Sequence, residues 1–375
     1  MTSLKVTTAR LFERLRPEGH EGGAGELVVA PGSVEDAAEV LAHAADHGLR
    51  VGFLGGGTHR LIGGPGSCDV VVSTERMRRV VDWQADDLTI VVEAGMPVAD
   101  LEAMLGERGQ SAVLPEHPGT ATVGGTLAVA ASGYCRYRYG PSRDRVLQVA
   151  VATGYGRVIR AGARVVKSST GYDLARLMVG SMGALGLIGE VCLKLLPTPV
   201  SGATVPVADP ATAVEAVYRP LAVVETERGS AVYLGGTEAE IAAQAAGLGH
   251  RAEPGLAWPE PVSGPVRVSL RVPPAHVAAG VSRIAAWPGV TFRAQHGVGI
   301  IEIGCGEIAA DEVCGLRRWA EARSGALVLL AGPGDLAAAV DPWGTPPASL
   351  AIQRRIKEAF DPAGILNVGK LPGRI

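Results

Sequence analysis

Glycine gathers at positions 55–66, 119–133 and 171–189, and these three clusters constrain the fold more than any other feature of the sequence. A residue without Cβ is favoured where the backbone turns through positive φ or where another group comes close to it. The chain holds 51 glycines in 375 residues, nearly double the usual ~7 %. The absence of a three-residue period excludes a collagen-like chain, and 47 % hydrophobic residues with 19 % charged ones exclude a disordered one. The first cluster, Gly55-Gly56-Gly57-Thr58, follows the apolar run Val51-Gly52-Phe53-Leu54. Consecutive glycines let successive backbone N–H groups converge on an anion, although such a loop is equally a plain tight turn. No G-x-G-x-x-G follows the first strand and opens a helix, which excludes the dinucleotide fingerprint of Rossmann dehydrogenases. Gly180-Ser181-Met182-Gly183-Ala184-Leu185-Gly186 has similar spacing but falls too late in its unit, and no Walker loop is present.

The periodicity around these clusters predicts an α+β chain. Leu27 to Val29 reads as a strand, Ser33 as the N-cap of a helix over 34–47, Gly48 as its stop and Val51 to Leu54 as a second strand. Strands follow at 69–73, 89–93, 146–153, 157–160 and 189–196, with helices over 98–108 and around 172–179. Tyr134, Tyr137 and Tyr139 interleave with Arg136, Arg138 and Arg143 in a pattern that reads as a strand or loop. Pro197-Thr198-Pro199 marks the domain boundary, so the expected division is 1–200, 201–345 and a C-terminal helix with its tail at 346–375. The middle unit alternates short strands with Ala-rich helices, the pattern of an α+β domain on an antiparallel sheet. No internal repeat of 20–50 residues is evident.

Charge and cysteine usage remove other function classes. A net charge of −3 without any basic block excludes a general nucleic-acid binder. Five scattered cysteines, none in a close ligand pair, fit a reduced cytosolic protein with no metal site. The first residues carry no apolar signal core, and no apolar run is long enough for an integral membrane segment.

The order of the motifs carries a resemblance. GGGT (55–58), GTATVGG (119–125), YGPSRD (139–144), K-x-x-x-GYDL (167–174) and GSMGALGLIGEV (180–191) together resemble the FAD-binding domain of the vanillyl-alcohol-oxidase type, over roughly residues 25–200. The short second domain and the ending FDPAGILNVGKL are similar to the FAD-binding subunit of glycolate oxidase. The expected fold is an FAD domain of two α/β lobes, a smaller α+β domain at 201–345, ferredoxin-like or a cap, and a C-terminal helix returning to the first domain. The resemblance implies that Gly55, Gly56, Gly57 and Thr58 wrap the pyrophosphate, and that Pro118, Gly119, Thr120, Val123, Gly124, Gly125 and Gly133 line the pyrophosphate and flavin. Ile188, after Gly186, would meet the adenine side through its backbone. Covalently flavinylated relatives carry a histidine at the position of Thr58, so non-covalent FAD is expected; His59 lies one residue off.

The activity implied is that of an FAD-dependent oxidoreductase acting on the CH–OH group of a small 2-hydroxyacid, glycolate or D-lactate. Such chemistry needs a base for the hydroxyl proton, a cation for the carboxylate and a hydride acceptor. His296, in an H-x-G-x-G element similar to one in the family, is the candidate base, and Arg293 the candidate cation. Two departures stand out. Longer relatives carry a metal-binding pair of histidines for which no H-x-H exists here, and Glu302 stands where family members often place an arginine. The implied partners are a homologous FAD subunit and an iron–sulfur subunit, in the cytoplasm or peripheral to the inner face of the membrane. A stand-alone oxidase or dehydrogenase and a non-catalytic accessory subunit are the alternatives.

Overall fold

A computed structural model describes residues 27–64, 68–115, 119–165 and 171–375. Pro118 and Lys167 lie outside the described residues.

The first lobe is a three-stranded parallel sheet in the order Leu27–Val29, Val70–Ser73, Val51–Leu54, covered by the helix Val34–His47. Ser33 caps that helix by accepting the Asp36 amide at 3.0 Å, and Gly48 ends it at φ 63°. Both residues do what their types suggest. The helix turns Val34, Ala37, Ala38, Val40, Leu41 and Ala44 inward, onto the sheet.

The second lobe is a five-stranded sheet in the order Val80–Gln84, Thr89–Glu93, Leu187–Lys194, Val146–Ala152, Val158–Gly162. Every pairing in it is antiparallel. Its core gathers Leu101, Leu105, Val123, Leu127, Met178 and Leu193 from the strands and from the helices Val98–Gly106, Val123–Ala128 and Leu174–Met178. The Tyr/Arg alternation after Gly133 forms a short helix, Arg136–Tyr139, rather than a strand. Backbone bonding from Tyr139 N to Cys135 O and Gly140 N to Arg136 O closes the turn, and the Arg138 and Arg145 guanidiniums lie over the Tyr139 ring. Local hydrogen bonding and stacking outweigh the period-two pattern here.

Residues 201–331 build an eight-stranded antiparallel sheet. Its order is Glu253–Pro254, Ser201–Val207, Gly229–Gly236, Ala222–Thr226, Thr291–Gln295, Ile300–Cys305, Val266–Arg271, Ala326–Ala331. Each half runs strand, helix, strand, strand, helix, strand, and each has the spatial order 4-1-3-2 in its own numbering. The cap is therefore a duplicated ferredoxin-like unit, joined where Ala222–Thr226 pairs with Thr291–Gln295. Helices cover one face; the other carries Ala222, Val224 and Tyr233, which pack against Tyr134 of the second lobe.

The helix Leu350–Phe360 and the tail return to the first two lobes. Lys357 and Asp361 form a buried ion pair there, and Leu366 bridges Val51 in parallel. Among the described residues no helix is long and apolar enough to cross a membrane.

Candidate functional site

A cavity of about 520 Å³ opens between the first lobe, the helix at Val123–Ala128, the segment 182–188 and the C-terminal tail. That volume falls within the range of small-molecule and cofactor sites, roughly 300–1,000 Å³. The glycine loop 55–57 forms one wall because its backbone is already in contact with the opposite segment. A Cβ on Gly55 would stand 2.4 Å from Thr122 Oγ1, and one on Gly56 would stand 1.6 Å from Thr120 O. Thr120 Oγ1 donates to Gly56 O at 2.8 Å, locking the two loops together. Across the cavity a Cβ on Gly124 would meet Ala94 Cβ at 2.6 Å, which lets the helix sit close enough for Gly124 and Gly125 to face the loop.

The walls carry two kinds of chemistry. The amides of Gly55, Gly56, Gly57 and Thr58 donate to no other described residue, and they lie on the cavity with Arg60 and Lys370. No carboxylate is among the described residues lining it. Free backbone N–H groups with nearby cations form a site for a diphosphate. Phe53, Val71, Ala128, Val129, Leu187 and Ile188 supply the apolar remainder, which suits flat rings. The donor set and the close-packed glycine cradle fit FAD.

The sequence-predicted residues are not all brought together. Gly55, Gly56, Gly57, Thr58, Gly124, Gly125, Gly186 and Ile188 line the cavity. Gly119 and Thr120 do not line the cavity, though Thr120 backs the loop through its bond to Gly56. Val123 is fully buried in the second-lobe core and its amide is used by Met96 O at 2.9 Å. Gly133 lines a separate cavity of about 240 Å³ with Tyr134, Trp258 and the linker Pro197-Thr198-Pro199. His59 lies on the cavity beside Thr58.

Arg293 and His296 belong to neither cavity. Arg293 Nη1 donates to Tyr134 Oη at 2.6 Å across the domain boundary, and Nη2 pairs with Glu302. The Tyr134 ring stacks on Trp258, which stacks on Tyr233. Burial raises the pKa of both phenols, that of Tyr233 to about 12. His296 is 4 % exposed, with Nε2 2.7 Å from Glu225 Oε2. Its amide bonds Val223 O, extending the ladder so that His296 shares a face with Val223, the face the cap helices cover. Arg293 and Glu302 share the opposite face, toward the second lobe.

Sequence reasoning brought the tail back to the FAD domain but named none of its residues at the site. Asn367 holds φ 40°, accepts the Phe53 amide through Oδ1 at 3.1 Å and donates through Nδ2 to Met182 O at 2.6 Å. It thereby joins two walls of the cavity. The ending FDPAGILNVGKL was the available signal.

Residues 25–162 match the family described as FAD binding domain, and residues 343–371 match the family described as FAD linked oxidases, C-terminal domain. The chain is 36 % identical over 175 residues to a D-lactate dehydrogenase of Archaeoglobus fulgidus, covering 46 % of this chain and 39 % of that protein. It is 36 % identical over 177 residues to a D-2-hydroxyglutarate dehydrogenase of Xanthomonas citri, covering 46 % of this chain and 37 % of the relative. With the glycolate oxidase subunit GlcD of Bacillus subtilis it shares 30 % identity over 179 residues, 46 % of this chain and 37 % of that one. Each match thus spans about two-fifths of the relative's length. A solved alkyldihydroxyacetonephosphate synthase superposes with a TM-score of 0.67 over 91 % of this chain and 75 % of its own, at 16 % identity, which shows a shared fold. The FAD binding domain match at one end of the chain and the FAD linked oxidase match at the other meet at this one cavity, as the resemblance to the vanillyl-alcohol-oxidase type implies.

Proposed function

We propose that this chain is the FAD-binding subunit of an assembly that oxidises a small 2-hydroxyacid, with glycolate the first candidate substrate and D-lactate the second. The observation that carries the substrate class is the chemistry shared by the named relatives. D-Lactate, D-2-hydroxyglutarate and glycolate all bear a hydroxyl on the carbon next to a carboxylate. FAD, when bound, accepts the hydride from that carbon. The chain's own part is to hold the diphosphate on the amides of 55–58 and to close the apolar cavity around the rings. Without a histidine at position 58 the attachment is non-covalent.

His296, the candidate base, lies outside the cavity on the helix-covered face of the cap sheet, with Nε2 paired to Glu225, and this speaks against that role. Arg293, on the cap face toward the second lobe, is the candidate partner of the carboxylate. One observation favours the second reading, an accessory subunit that holds FAD and relays electrons. Each candidate group is already matched by a carboxylate, Arg293 by Glu302 and His296 by Glu225. The assembly would then include a homologous flavoprotein and an iron–sulfur subunit, in the cytoplasm or at the inner face of the membrane.

Anaerobic addition of glycolate or D-lactate to the purified, FAD-loaded chain separates these readings. Bleaching of the visible flavin band supports oxidation by this subunit, and bound but unbleached flavin supports the accessory role. A chain that takes up no added FAD sinks both.

A further inference from the structure

The tail is fastened to the cofactor cavity in three successive steps. Asp361, fully buried, accepts the amides of Ile365 and Leu366 and the Lys357 ammonium, and Lys357 also donates to Ala184 O and Leu366 O. Asn367 then joins Phe53 to Met182. Finally Lys370 Nζ donates to Arg60 O at 3.0 Å, Ile62 O at 3.2 Å and Gly64 O at 2.5 Å.

An ammonium has three N–H donors, and here all three go to carbonyls of the segment that directly follows Gly55-Gly56-Gly57-Thr58. Apart from the local turn bond from Ile62 N to His59 O, the hydrogen bonds recorded between 60–64 and the other described residues come from Lys370 and from Arg374, whose Nη1 donates to Gly63 O at 3.2 Å. The contact is close-packed as well as hydrogen-bonded, since a Cβ on Gly63 would stand 2.7 Å from Lys370 O.

From this geometry we infer that Lys370 is a positioning residue for the cofactor: it fixes the 60–64 segment and, through it, the amides of 55–58, so that FAD retention is governed from the C-terminal tail. Its donors are spent on carbonyls, so it acts through the loop and not as a direct ligand of the phosphates. The inference rests on the FAD reading, and its test separates the two.

Lys370→Met keeps the length of the side chain and removes its donors; Lys370→Arg restores both charge and donors. Two quantities are measured on the full chain. The first is FAD affinity, read from quenching of flavin fluorescence. The second is the rate of tryptic cleavage at the Arg60–Leu61 bond without FAD, read from the fragment ending at Arg60. Lys370→Met is expected to weaken FAD by about tenfold or more and to speed cleavage at Arg60 several-fold, and Lys370→Arg to recover most of both. Unchanged FAD affinity in Lys370→Met overturns the inference. So does a loss of affinity with Arg60 as protected as in the wild type, because that pattern marks a direct phosphate contact. Should Lys370→Met fail to fold, Gly63→Ala strikes the same contact from the loop side and must produce the same paired change. If the wild-type chain binds no FAD, the functional reading falls, while the cleavage arm still reports on Lys370.

Discussion

Gly56 is the tightest point of the cofactor cradle. A methyl group there would lie 1.6 Å from Thr120 O, far inside any contact distance, and the obstacle is backbone. Gly56→Ala is therefore expected to push the two loops apart and abolish FAD retention on gel filtration; a variant that keeps its flavin would refute the cradle. Gly106 is the counter-case. It closes the helix Val98–Gly106, a methyl group added to it would meet nothing within 4 Å, and its φ is not positive. Gly106→Ala should therefore stabilise the fold by about 0.5–1 kcal/mol in urea and leave FAD affinity alone. The contrast explains what was legible at this scale. Runs of glycine marked Gly55, Gly56 and Gly124 because crowding leaves no room for a side chain. Val123 and Gly133 carry the same local pattern, yet the fold turns one into the core and the other to a second cavity. Orientation of that kind depends on the opposing elements, which the neighbouring residues do not encode.

Caps set the boundaries of the elements, and this is where the sequence was most readable. Ser33 and Gly48 bound the first helix as their side-chain chemistry requires. In the cap, Thr237 and Glu240 form a complete capping box at the start of the helix Glu238–Gly247, and Asp209 caps Pro210–Ala216 by accepting the amides of Ala211 and Thr212. Thr237→Ala should cost about 1 kcal/mol of stability without altering FAD binding, because the box lies in the cap and not on the cavity. Hydrogen bonds hold both carboxyls below their ordinary range, Asp209 through Thr212 and Ala211, Glu240 through Thr237. A depressed folded pKa means that this stabilisation is present above the unfolded values, near 4, and is lost as pH falls through the lowered ones. Melting temperature followed from pH 5 down to about 3 should accordingly fall less steeply in Asp209→Asn and Glu240→Gln than in the wild type. Equal slopes would remove these two groups from the acid response. His296 belongs to this scale too. Its H-x-G-x-G motif was legible in the sequence, but the strand Thr291–Gln295 that His296 extends was not, and which face it takes follows from the register with Val223, a pairing between segments some seventy residues apart.

At the scale of the molecule, the duplication of the cap and the contacts of the returning tail were the least legible features. The two ferredoxin-like halves share topology and no evident sequence repeat, since a half-buried antiparallel sheet asks only for alternating apolar residues and accepts many sequences. The tail was visible as a motif, but its action depends on contacts with residues some 170 to 310 positions away. That dependence makes a sharp prediction about Lys357. Its ammonium lies between Asp361, Ala184 O and Leu366 O in surroundings where burial pulls its pKa down, and Asp361 is shielded from solvent. Removing one member of a buried ion pair leaves the other charge uncompensated, at a cost of ~3–5 kcal/mol. Lys357→Met should lose that much stability in urea. It should also loosen the turn at Asp361, so that Asn367 and Lys370 no longer reach the cavity and FAD affinity falls with stability. Asp361→Asn keeps an oxygen for only one of the Ile365 and Leu366 amides and leaves Lys357 with its two carbonyl acceptors, so it too should lose stability. If Lys357→Met loses stability while binding FAD as tightly as the wild type, the tail is a brace for the fold alone and the cavity holds its shape without it.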